Sequence, residues 1–268
     1  MKKTLAASLL LTGVLAGCGS SEEEGSSNNA SSGDQNLLES IQEEGVITVG
    51  TEGTYAPFTF HDESDALTGY DVEVMNEIAE RMGVEVEYNE TQWDSMFEGL
   101  NSERFDVIAN QVGINDERLE TYDFSEPYTL SSAVVVVPED NSEVSSFEDI
   151  EGKQSAQSLT SNYAEIATEY GAELVQVEGL AQAIELIKTG RAEVTVNDKL
   201  AILDFQKQQP EAGIKIAAEE SDVSESAFMF RQGHEELVEE FNKHLADMKE
   251  EGTLTEISEK WFGEDVSQ

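Results

Sequence analysis

One cysteine, three histidines and four prolines stand among 268 residues, and lysine and arginine number only 15 against 57 aspartates and glutamates. Each scarcity excludes something. A single thiol, Cys18, permits no disulfide framework, so the fold must rest on its apolar core. A formal charge of −42 repels phosphate backbones and anionic membrane surfaces alike, which excludes nucleic acid as a partner. His61, His234 and His244 have no second ligand at metal spacing and read as surface histidines. No Asp-x-Asp-x-Asp-Gly loop, Gly-x-Ser-x-Gly elbow, Walker loop or Gly-x-Gly-x-x-Gly fingerprint occurs. Without a usable Cys or a Ser–His pairing, nucleophilic catalysis has little to work with. Carboxylates are too plentiful for one pair to stand out as general acid and base. The residues point away from an enzyme, and no cofactor or metal is expected. Long hydrophobic runs are also missing, since an apolar run of about a dozen residues is too short to span a bilayer core of ~30 Å.

That run opens the chain. Lys2 and Lys3 precede the apolar residues 5–15, and residues 1–17 read as a secretion signal. The lone cysteine in Leu15-Ala16-Gly17-Cys18 resembles the lipobox of bacterial lipoproteins, which implies cleavage before Cys18 and lipidation of its sulfur. Residues 18–36 are rich in Ser, Glu, Gly and Asn without apolar periodicity and read as a flexible tether near the membrane. With 38% apolar residues the chain is not disordered throughout. Its acidity is spread along its length, as in a solvated surface suited to high salt or high pH.

From residue 37 onward, strand-like runs at 46–50, 84–88 and 105–109 alternate with helical patterns at 71–82 and 93–100. This alternation predicts βαβ units and an α/β fold with a largely parallel sheet. Asp71 is placed to cap the helix carrying Val74, Met75, Ile78 and Met82, with Gly83 as its stop. A second series runs through strands at 154–157, 173–177 and 193–196 and helices at 162–170, 180–188 and 199–208. Two lobes follow. The β-branched run 133–137 and the run 226–230 before a final helix at 235–251 predict two crossings and a two-strand hinge. Lobe 1 then comprises 37–134 and 230–268, and lobe 2 comprises 135–229.

Ligand sites in open α/β sheets lie at the carboxyl ends of strands. The strand at 105–109 runs into Asn110-Gln111-Val112-Gly113 and then Asn115-Asp116-Glu117-Arg118. Asn115 can cap a helix whose first turn holds Arg118, a cation badly placed beside a positive dipole end unless an anion accompanies it. A carboxylate held by the guanidinium answers that need, as does an ordinary surface pairing with Glu117 or Glu120. Asp198 stands at the equivalent place in the second series. Alone it reads as an N-cap; opposite Arg118 it complements an ammonium, and the two together describe a zwitterion clamp. Tyr55 and Trp93 offer aromatic faces for a pocket, and Phe58 is assigned to the core.

Over nearly its whole length after residue 37 the chain resembles the polar amino-acid substrate-binding proteins of ABC importers, with the two-lobed type II periplasmic-binding fold. The motifs are Gly53-Thr54-Tyr55-Ala56-Pro57-Phe58, Gly69-Tyr70-Asp71-Val72-Glu73, the run from Phe105 to Arg118, Tyr122-Asp123-Phe124-Ser125-Glu126-Pro127-Tyr128, and Gly252-Thr253-Leu254 with Lys260-Trp261-Phe262-Gly263. Trp93-Asp94-Ser95-Met96, Asn110-Gln111-Val112, Ser161-Asn162-Tyr163 and Asn197-Asp198 most resemble the cystine-binding subgroup. The resemblance implies that Arg118 holds the ligand carboxylate, helped by backbone donors near Gly113, Ser161 and Asn162. Asp198, with acceptors around Asn110 and Gln111, holds the α-ammonium. Tyr55 and Trp93 pack on the ligand side chain, and Glu52 reaches its distal end. Many members carry Thr or Ser where Gly113 stands, so one hydroxyl contact is missing here. The glycine-rich turn of the second lobe is replaced by Leu159-Thr160-Ser161-Asn162.

The expected function is therefore that of a monomeric, extracytoplasmic, membrane-tethered receptor that closes over L-cystine and delivers it to a permease with an ATPase partner. Competing readings are another polar amino acid, a sensory binding protein, or an enzyme of the cyclohexadienyl-dehydratase type, which needs a carboxylic acid with a raised pKa in the cleft.

Overall fold

The computed structural model describes residues 36–268. The expected signal segment, Cys18 and all but the last residue of the tether lie outside the described residues. Helix α1 (Leu37–Glu44) begins at Asn36, whose side chain accepts the Leu38 N–H at 3.0 Å. Then follow β1 (Val46–Thr51) and a small antiparallel sheet of β2 (Thr54–Tyr55), β3 (Thr59–His61) and β4 (Leu67–Thr68). Next come α2 (Tyr70–Met82), β5 (Glu85–Glu90), α3 (Trp93–Asn101), β6 (Val107–Gly113), α4 (Asp116–Leu119), β7 (Tyr122–Phe124) and β8 (Thr129–Pro138). The second series is β9 (Gln154–Gln157), α5 (Asn162–Glu169), β10 (Glu173–Gln176), α6 (Leu180–Lys188), β11 (Thr195–Asp198) and α7 (Lys199–Gln208). Strand β12 (Ile214–Arg231) returns to the first half, where α8 (Glu235–Glu251) and α9 (Thr253–Phe262) complete the described chain.

The alternating pattern produces the parallel neighbours β5, β1 and β6, but the other four pairings of their sheet are antiparallel, because β8 and β12 run back and forth between the lobes, so the sheet is mixed and not largely parallel as expected. They belong to a seven-stranded sheet ordered β11-β8-β12-β6-β1-β5, with β7 beside β12. Strands β8 and β12 are long and antiparallel, paired from Ile214 opposite Pro138 to Ser226 opposite Thr129, and they serve both lobes. Strands β9 and β10 pair in parallel, and Ser155 bridges to Val194 beside β11.

Period-two burial shows where each core sits. Along β8, Val134 and Val136 pack with Ile184, Ile187 and Ile202, while Ala133, Val135 and Val137 pack on the opposite face with Phe147, Ile150 and Ala167. The 133–137 run is thus buried within lobe 2, and the chain leaves lobe 1 just before it. Likewise Phe228 and Phe230 join the lobe 1 cluster of α2, α8 and α9, and Met229 packs against Trp93, Met96 and Leu100 of α3 on the other face. The return crossing therefore precedes the 226–230 run.

Three local expectations are corrected. Asp71 does not cap α2: Gly69 is the N-cap, no side chain caps the helix, and Asp71 is fully buried within its first turn. The helix at 235–251 is followed by another, α9, because Gly252 in left-handed conformation ends one helix and begins the next. His244 is buried on the inner side of α8, with Nε2 2.9 Å from Glu240 Oε1. Phe58 is in the core as assigned.

Gly69 adopts φ +135°, and an added Cβ would lie 2.1 Å from the Phe58 carbonyl oxygen. Gly83 is also left-handed, at φ +76°, but open space surrounds it. Gly69→Ala is expected to cost about 2 kcal/mol or more, because strain and a backbone clash add. Gly83→Ala should cost about 1 kcal/mol. Denaturant melts of the two variants check this, and equal losses would reject it.

Candidate functional site

Strand β6 carries the floor of the site. All seven of its residues are buried, and its ladder with β12 is interrupted between Ala227 and Met229. Opposite that interruption Gln111 adopts φ +50°, a conformation uncommon for a residue with a Cβ. Asp71 braces it: Oδ2 accepts the Gln111 backbone N–H at 2.7 Å and Oδ1 accepts Gln111 Nε2 at 2.6 Å. Neighbouring Asn110 accepts the Glu52 N–H through Oδ1 at 2.8 Å and donates through Nδ2 to Glu52 Oε2 at 2.7 Å.

Arg118 is fixed from three sides. Asn115 Oδ1 accepts its backbone N–H at 2.9 Å, as a capping residue should. Its Nη1 donates to the Gly113 carbonyl at 2.6 Å and its Nη2 to the Thr160 carbonyl at 3.0 Å. The guanidinium also stands 5.5 Å and 5.4 Å from the ring centroids of Trp93 and Phe97. Among the described residues no carboxylate lies within ion-pair distance of it, so the surface pairing with Glu117 or Glu120 is not formed. Each terminal nitrogen has two hydrogens, which leaves one on each for a guest.

On the facing lobe, Ser161 caps α5 and Asp198 caps α7, the latter through Oδ1, which accepts from Leu200 N at 2.7 Å and Ala201 N at 3.2 Å. The Tyr163 hydroxyl donates to Asp198 Oδ2 at 3.1 Å. Asp198 is therefore the cap read for it, and its other oxygen accepts from Tyr163.

The lobes touch at several points besides Arg118. Tyr55 donates to Asn197 Oδ1 at 2.9 Å, Thr160 Oγ1 to Asp94 Oδ1 at 2.8 Å, and Asn115 Nδ2 to Glu165 Oε2 at 3.1 Å. Gly113 adds a steric condition: a Cβ there would lie 3.1 Å from Asn162 Nδ2. A hydroxyl-bearing residue at 113 would press on Asn162, so the departure noted in the sequence makes room for an amide from the opposite lobe.

Between the lobes lies a narrow cavity, with about 50 Å³ of room for the centres of water-sized spheres. It is lined from lobe 1 by Glu52, Thr54, Tyr55, Trp93, Asn110 and Gln111, and from lobe 2 by Ser158, Ser161, Asn162, Tyr163, Gly179, Leu180 and Asn197. Seven sequence-predicted residues are thus brought together on its wall. The other three are bonded to its surroundings: Asp198 to Tyr163, and Arg118 to Gly113. Arg118 lines an adjoining groove shared with Ser161 and Asn162.

The site is short of positive charge. Burial pushes Glu52 up to about 7, with the Asn110 hydrogen bond opposing and Asp94 adding to the rise. Burial likewise raises Asp71 to about 7 against its Gln111 hydrogen bonds, and raises Asp198. Arg118 is lowered to about 10 by burial, with Glu165 opposing. Three desolvated carboxylates at and behind the cavity wall favour an ammonium-bearing guest.

Tyr163, Asn197 and Asp71 were given no ligand role in the sequence reading. Tyr163 follows the α5 cap immediately, and that spacing was its available signal. The bond between Asp71 and Gln111 spans 40 residues, beyond any local pattern.

Comparison with known proteins places this geometry. L-cystine-binding protein TcyA of Bacillus subtilis is 54% identical over 271 residues, covering 100% of both chains. The L-cystine solute receptor of Neisseria gonorrhoeae, in its unliganded open conformation, is 49% identical with a TM-score of 0.59, over 87% of this chain and 100% of that one. An ancestral arginine-binding protein bound to arginine is only 35% identical, yet its TM-score is 0.77, over 82% of this chain and 99% of that one. A better superposition at lower identity is the pattern produced when rigid lobes differ in mutual angle, and it agrees with the interlobe contacts above. The model of the bacterial extracellular solute-binding proteins, family 3, matches residues 47–264, and the chain belongs to that family.

Proposed function

We propose that the chain binds L-cystine between its lobes and delivers it to an ABC permease, performing no chemistry on it. The observation that carries this reading is the interlobe cavity, walled by Tyr55 and Trp93 and surrounded by three buried carboxylates and one arginine. That arrangement suits a guest with ammonium and carboxylate groups at both ends of an apolar sulfur bridge. The full-length similarity to a cystine-binding relative supports the same ligand. In this reading Arg118 holds a carboxylate beside Ser161 and Asn162, and Asp198 with Tyr163 and Asn110 serves the near ammonium. Glu52 receives the distal one. Residues 1–17 act as a secretion signal and Cys18 as a lipid anchor, so that a monomeric body, divided just before the 133–137 and 226–230 runs, stays at the outer face of the membrane. One observation keeps a dehydratase reading alive: Glu52 lines the cavity and holds a proton near neutrality. Turnover of prephenate would establish it.

In a thermal-shift panel of amino acids, L-cystine at 100 times its dissociation constant should stabilise the protein by about 2.7 kcal/mol. A melt moved only by a basic amino acid or glutamine would reassign the ligand. Arg118→Ala is expected to weaken cystine binding by about 2 to 5 kcal/mol, since it strands a buried carboxylate; calorimetry giving unchanged affinity would reject the role. Ionised Glu52 favours an ammonium, and its carboxyl protonates as pH falls through about 7. Affinity should therefore decline from pH 8 to pH 5.5, and less steeply in Glu52→Gln, with Asp71 supplying the residual slope. Parallel slopes for the two proteins would exclude Glu52.

A further inference from the structure

Asp71 touches no part of the cavity wall except through Gln111, and what it does to Gln111 has a chemical consequence. A carboxamide has an acceptor end and a donor end, and rotation exchanges them. At Gln111 the donor end is fixed: Nε2 bonds to Asp71 Oδ1 at 2.6 Å and to Thr129 Oγ1 at 3.0 Å, which engages both of its hydrogens. The backbone N–H of the same residue occupies the other Asp71 oxygen at 2.7 Å. Both Asp71 oxygens accept from Gln111, so the acceptor end of its carboxamide cannot face them. That end, Oε1, is buried without a hydrogen-bond partner among the described residues. Gln111 is 8% exposed and is among the residues that line the cavity, with Oε1 itself closed off from solvent. A buried acceptor lacking a donor is a place made for one.

Resting on the amino-acid reading above, we propose that Asp71 is a positioning residue, which holds the Gln111 carboxamide with its oxygen free for the ligand's ammonium and so makes this part of the cavity select a cationic group. The left-handed backbone of Gln111 belongs to the same device, because the N–H of that residue reaches Asp71 only while the strand is interrupted there.

The proposal predicts an inversion. In Asp71→Asn the new amide must use its oxygen for the Gln111 N–H, which turns its NH2 toward the Gln111 side chain. Gln111 then rotates, and a donor replaces the acceptor available to the guest. Affinity for L-cystine should fall about ten- to a hundredfold, the usual value of a hydrogen bond to a charged group. Affinity for 3,3′-dithiodipropionate, the same skeleton without ammonium groups, should not fall. Adding Gln111→Glu to Asp71→Asn restores a free acceptor oxygen and should recover cystine binding. Calorimetry with both compounds on the wild-type, single and double variants reads all three. Equal losses for the two compounds without rescue, or undiminished cystine binding in Asp71→Asn, overturn the proposal. Should Asp71→Asn fail to fold, Gln111→Met removes the acceptor while keeping its bulk, and it must show the same cystine-selective loss. A wild-type protein that binds no amino acid would withdraw the reading on which the proposal stands.

Discussion

Everything in this molecule hangs on one antiparallel ladder. Among the described residues, strands β8 and β12 are the long elements shared by both lobes, and their pairing from Ile214 to Ser226 decides which side chains can face each other across the cleft. Each lobe closes its own core on them, lobe 2 through the alternating valines of β8 and lobe 1 through Phe228 and Phe230. The two cores meet at the cleft, where Leu200 and Ala201 of α7 join the lobe 1 cluster and Leu180 packs against both.

The second constraint is electrostatic. A chain with so large an acidic excess disperses most of its charge in solvent, where repulsion is screened. At the cleft it does the opposite, burying Asp71 and Asp198 and half-burying Glu52, none of them in an ion pair among the described residues. Burial of carboxylates without matching cations is unfavourable for folding and is retained where binding needs it. The hydrogen bonds from Asn110, Gln111 and Tyr163 keep these groups oriented while their charge remains uncompensated.

Much of this was legible in the sequence, and what was not has a physical reason. Helices α6, α7 and α8 lie where the periodicity of their apolar residues placed them, since amphipathic spacing and glycine stops are local signals. Tyr55, Trp93, Asn110 and Asn162 were found because the motifs that carry them bracket strand ends and helix starts. Asp71 was misread because an acid at the start of a helix is ordinarily a cap, whereas here the Gly69 backbone leaves it one position inside and pointing at a strand. The contact between Arg118 and the Thr160 carbonyl joins lobes through positions 42 residues apart and depends on their mutual angle, which no periodicity encodes.

The register of the ladder shifts between Glu219 and Val223, so that several residues of β12 stand against a single step of β8. Such a slack segment can flex without rupturing regular pairing on either side. In the structure the angle between the lobes is held by direct hydrogen bonds across the cleft, from Tyr55 to Asn197, Thr160 to Asp94, Asn115 to Glu165 and Arg118 to the Thr160 carbonyl. Parting the lobes exchanges those bonds for bonds to water or to a guest, which ties the posture of the protein to its contents.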